Sequence, residues 1–153
     1  MNGLRVEDVI PHKASMVLLD ELIDATSTGA FCQVHISPKS SFYTEVLDGV
    51  PAYIGLEYIA QTIAAYSGVV ARQGGNSPQI GLLLGTRKYE PTKSHFSNGD
   101  ILHVKADKLL EDSNGLSVFL GTIAVGTEDN VVVRAKINVF QPENAENWLQ
   151  EKI

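Results

Sequence analysis

Residues 51–75 read PAYIGLEYIAQTIAAYSGVVARQGG, and the fold of the chain turns on this stretch. Ile54, Tyr58, Ile59, Ile63, Tyr66, Val69 and Val70 recur at helical spacing. Pro51 suits a first helical turn, where its missing N–H costs nothing, and Gly74-Gly75 close the run. Apolar residues and alanines cover most of the circumference, so the pattern predicts a helix buried on several sides. Glu57, a charged residue inside such a helix, stands out against that background.

Strand-like segments lie on both sides of the helix. Before it, residues 16–25 (MVLLDELIDA) are rich in aliphatic side chains and read as a strand. In residues 29–37, Phe31, Gln33 and His35 alternate with Cys32, Val34 and Ile36, a period-2 signal that follows a turn at Thr28-Gly29. After the helix come four more candidates, at 80–89, 101–110, 116–126 and 131–140. Turn residues at 97–100, 112–115 and 128–130 separate them. The last eleven residues, with Trp148, suggest a short helix. Two strands, a long apolar helix and four strands make an α+β layout. An antiparallel sheet wrapped around the helix would bury it, which is the hot-dog arrangement, and residues 1–153 are expected to form one such domain.

Composition narrows the function classes. At 153 residues the chain can bury a core without disulfides or metals. The net charge of −6 argues against nucleic-acid binding, which needs surplus Lys and Arg. No apolar run approaches the ~20 residues of a membrane span. The charged N-terminus lacks an apolar signal core, and Cys32 has no partner for an internal disulfide, so a reducing, cytoplasmic setting is expected. Cys32, inside a strand pattern, reads as core rather than nucleophile.

Three features carry chemistry. In the first, Pro11-His12 precedes an aliphatic run; His12 is either a general base or a turn histidine bonded to backbone. In the second, residues 49–61 place Glu57 in the opening turns of the helix. Its N-terminal amides, near Ile54 and Gly55, could hold a thioester oxygen as charge develops. Gly55 would let a substrate come close to the backbone. Partial desolvation would raise the pKa of Glu57, suiting it to protonate a leaving hydroxyl; alternatively the carboxylate only complements the helix dipole. Tyr43, Tyr53 and Gln61 are further candidates for the pocket lining. In the third, Arg87, Lys88 and Lys93 cluster in an acidic chain. They form either a docking patch for an acidic carrier or a solvated strand end. No His or Cys spacing resembles a metal site.

These motifs, in this order, resemble those of the hot-dog 3-hydroxyacyl-(acyl carrier protein) dehydratases. Pro11-His12 followed by Met16-Val17-Leu18-Leu19-Asp20 is similar to the family's "PHR-x-PFLLVDR" opening. Gly55-Leu56-Glu57-Tyr58-Ile59-Ala60-Gln61 resembles its "GVL-x-x-E-A-x-AQ" helix signature, and Asn98-Gly99-Asp100 its "PGD" turn. The likeness spans about residues 10–140. Residues 50–57 and 85–89 resemble the branch found in aryl-polyene pigment clusters.

The resemblance implies a homodimer or higher oligomer with active sites at the interface, and Glu57 as the helix carboxylate. It implies no resident cofactor, the substrate riding on the phosphopantetheine of acyl carrier protein or on coenzyme A. One departure matters. The family's "GHFP" segment carries a catalytic histidine, whereas residues 42–51 (FYTEVLDGVP) have none, with Tyr43 near the expected position. Either His12 substitutes as base, or the chain works only with a second, active hot-dog dehydratase. Dehydration to a trans-2-enoyl thioester is therefore the expected reaction, with a hot-dog thioesterase or a non-catalytic subunit as alternatives.

Overall fold

The computed structural model describes residues 4–75 and 82–140. Its elements are α1 (Val6–Val9), β1 (Glu21–Ala25), β2 (Gly29–His35), β3 (Gly49–Pro51), α2 (Gly55–Gln73), β4 (Leu82–Arg87), β5 (His95–Ser97), β6 (Ile101–Glu111), β7 (Leu116–Val125) and β8 (Val131–Phe140). Six strands form one antiparallel sheet in the order β1-β2-β6-β7-β8-β4, and β3 pairs with β5 in a separate ribbon. Helix α2 packs on the large sheet, as the hot-dog layout requires.

Period-2 patterning decides which face meets the helix. Cys32 and Val34 of β2, Leu102, Val104 and Ala106 of β6, and Phe119 and Ile123 of β7 are all buried. They meet Tyr58, Ile59, Ile63, Tyr66 and Val69 in a single core. Gly121 lets helix and sheet approach, since a Cβ there would fall 2.3 Å from Cγ2 of Ile59. Burial pushes the Cys32 thiol up to about 12, against a partly offsetting hydrogen bond from Thr62, in keeping with a core cysteine. Among the described residues, no helix is long and apolar enough to cross a membrane.

Three expectations need correction. Pro51 does not open the helix: it ends β3, opposite His95, and the amide of Ala52 continues that pairing by donating to Ser94. A 3₁₀ turn over Ala52–Ile54 intervenes before α2. Only Glu21–Ala25 of the aliphatic run at 16–25 forms a strand, while Ala14–Met16 make a 3₁₀ turn. The amide of Leu18 donates to the Gln61 side chain instead of a neighbouring strand. Val70, counted on the apolar pattern, is exposed. The suggested helix around Trp148 lies outside the described residues.

Candidate active site

The N-terminal half of the chain before β1 runs along α2. Val9 packs against Gly68, where a Cβ would collide with the Val9 carbonyl, and the segment then passes back toward the first turns of the helix. There Gln61, only 1% exposed, fastens it. Its Oε1 accepts the Leu18 amide at 2.8 Å, and its Nε2 donates to the Met16 carbonyl at 2.9 Å and to Oε1 of Glu57 at 3.1 Å. One buried amide thus holds both the loop that carries His12 and the carboxylate of Glu57.

The result is a His–Glu pair within one chain. Nε2 of His12 lies 3.8 Å from Oε1 of Glu57, with side chains 28% and 47% exposed. Such a gap is longer than a hydrogen bond. Nδ1 of His12 is buried and has no hydrogen-bond partner among the described residues, so within them the backbone-bonded turn histidine does not form. Glu57 departs from expectation in one respect: among the described residues it is half exposed rather than desolvated.

The remaining candidates scatter. Ile54 is buried in the 3₁₀ turn, and the Gly55 amide already donates to Ala52 and Tyr53 carbonyls, which takes that amide out of the expected oxyanion role. Nor is Gly55 open to a substrate: a Cβ there would fall 2.2 Å from the Tyr89 hydroxyl and 2.8 Å from Cδ1 of Ile123. The Tyr89 hydroxyl donates to the Ala52 carbonyl at 2.5 Å, and burial pushes its pKa up to about 12. This packing role of Tyr89 is not legible in the sequence, where the residue enters only as the end of the 85–89 resemblance. Tyr53 is 71% exposed beside the helix start. Tyr43 is bound through its hydroxyl to Asp48, which also accepts from Asn98, and the Asp48 bond raises the phenol's pKa. Lys88 and Lys93 are exposed, and Arg87 ends β4 with its side chain outside the description.

The other histidines take no part in this pair. His35 contacts Gln33, His95 contacts Ser94, and His103 bonds the Gly126 carbonyl and packs on Phe31.

Comparison with known proteins places the chain. The dehydratase heterocomplex ApeI:P from Xenorhabdus doucetiae contains a chain 28% identical to this one, with a TM-score of 0.86 and coverage of 98% of this chain and 99% of that one. A hypothetical thioesterase with coenzyme A from Streptococcus pneumoniae matches at TM-score 0.62 and 12% identity, covering 79% and 84% of the two chains. A Streptococcus mutans protein bound to acetyl coenzyme A matches at 0.61 and 12%, covering 85% and 95%. The last two share the fold and support nothing finer. No curated protein matches the sequence. The model of the ApeP-like family, described as ApeP dehydratase, matches residues 4–150, and this hot-dog chain belongs to that dehydratase family.

Proposed function

We propose that the chain dehydrates a 3-hydroxyacyl thioester, held on the phosphopantetheine of acyl carrier protein, to the trans-2-enoyl thioester during aryl-polyene assembly. The observation that carries the mechanism is the His12–Glu57 pair held by Gln61 at the start of α2. In this reading His12 Nε2 takes the proton from the α-carbon. The C–O bond at the β-carbon breaks, and the hydroxyl leaves as water with the proton of Glu57. The extra proton on His12 then passes through solvent to the nearby Glu57 carboxylate, which restores both groups. The positive end of the α2 dipole, near Ile54, favours the charge on the thioester oxygen. Exposed Tyr53, together with Tyr43, is assigned to the substrate pocket. Arg87, Lys88 and Lys93 are assigned to the acidic carrier, and the setting to the cytoplasm.

A second reading concerns assembly. The half-exposed Glu57, the absence of histidine in residues 42–51 and the similarity to a chain from a heterocomplex favour a hetero-oligomer with another hot-dog dehydratase. That partner would cover the start of α2 and supply the missing histidine.

Mass spectrometry of a 3-hydroxyacyl carrier protein, incubated with this chain alone and with a second hot-dog dehydratase chain, tests both readings. Loss of one water with the chain alone supports His12 as base; loss only with the partner present supports the heteromeric site. Release of the whole acyl group would overturn the dehydration reading.

A further inference from the structure

Behind the residues that carry the His–Glu pair lies a cavity of about 130 Å³, lined by Val17, Leu18, Asp20, Lys39, Ser41 and Tyr58, among others. Tyr58 follows Glu57 in the helix but projects about 100° away from it, into the fold. The residue is only 1% exposed, while its hydroxyl makes no hydrogen bond to the described residues and keeps its accessible surface toward the cavity. Burial and the nearby Asp20 carboxylate raise its pKa, so the phenol stays protonated and able to donate. Lys39 and Ser41 also line the cavity and, unlike Tyr58, are exposed. Asp20 uses only Oδ2, toward the His35 amide, which leaves Oδ1 as an acceptor.

We infer that this cavity is a subsite for a small neutral group with one donor and a two-lone-pair acceptor, a secondary amide or a hydroxyl. Tyr58 and one of Ser41 and Lys39 donate to the two lone pairs of its oxygen, and Asp20 accepts the hydrogen bond from its N–H or O–H. The opposite charges of Asp20 and Lys39 together leave no net preference for an ion, and the polar lining disfavours an alkyl end. Two sources have this chemistry: the amides of a pantetheine arm, and a hydroxyl on the acyl part. The assignment of either source rests on the proposed dehydratase reading, but the binding chemistry does not.

The test is therefore binding, read by amide chemical shifts of the whole chain titrated with N-methylacetamide, pantetheine and propan-1-ol. Saturable shifts at residues 39–41 and 58 are expected, weakened about two- to tenfold by Tyr58→Phe and by Lys39→Met. Thermal unfolding of each variant checks that it is folded. Shifts with the two amides point to the arm; shifts with propan-1-ol alone point to the acyl part. Equal binding by Tyr58→Phe, or no shift with any probe at the solubility limit, would overturn the subsite. A chain that binds these probes but releases no water from a hydroxyacyl substrate would leave the subsite standing and remove the dehydratase reading.

Discussion

The first turns of α2 and its middle turns are parts of one continuous helix, yet they solve different problems. In the middle, Ile59, Ile63, Ala65, Tyr66 and Val69 are buried against the sheet, and their partners are apolar. At the start, Glu57 is half exposed and is held by polar contacts to Gln61 and by proximity to His12. Gln61 belongs to both regions: it is buried like the core and bonded like the site. The difference teaches that stability and chemistry are separable along this helix except at Gln61.

That separation can be broken or sharpened by substitution. The largest effects belong to the pair: His12→Ala and Glu57→Gln should each lower kcat by roughly 10²–10⁴-fold while leaving the melting temperature nearly unchanged. A fall in melting temperature with turnover intact would reverse the assignment. Ile59→Ala should do the opposite, costing about 2–5 kcal/mol in denaturant unfolding while the folded fraction keeps its turnover. Gln61→Ala should lose both, with about 2–4 kcal/mol of stability, because the Leu18 amide and Met16 carbonyl are left unpaired, and with a lower kcat. Retained activity at reduced stability would confine Gln61 to the core. Tyr89→Phe removes one bond to the Ala52 carbonyl and should cost about 1 kcal/mol by the same unfolding measurement.

The smallest effect is expected at Cys32. With its thiol pushed from 9.0 to about 12, the folded chain should resist iodoacetamide at neutral pH. A raised pKa means that the neutral thiol is favoured in the fold. Its contribution to stability is therefore full below pH 9.0 and is lost as the pH rises toward about 12. Rapid alkylation of native protein at neutral pH would place Cys32 outside the core.

Much of this was legible because it is periodic. The 3.6-residue repeat of Tyr58, Ile59, Ile63, Tyr66 and Val69 marks a buried helix, and the alternation at Cys32, Val34 and Ile36 marks a strand face. Both patterns survive folding because burial of apolar surface drives them locally as well as globally. The short ribbon of β3 and β5 escaped notice, since three-residue strands have too little period to read and Pro51 imitates a helix start. The aliphatic run at 16–20 misled for a related reason: its apolar side chains say that it is buried, not by what its backbone is bonded.

By itself, then, the sequence determined the α+β layout, the helix with an embedded carboxylate, and the motif order shared with the dehydratases. Tertiary structure alone decided that His12 and Glu57 lie 3.8 Å apart, that Tyr89 occupies the space beside Gly55, and that an unpartnered Tyr58 hydroxyl borders a polar cavity. The two contacts join residues more than 30 positions apart, and the cavity is a void between separate segments. Local periodicity encodes which face is buried, but not which distant polar atom meets it there.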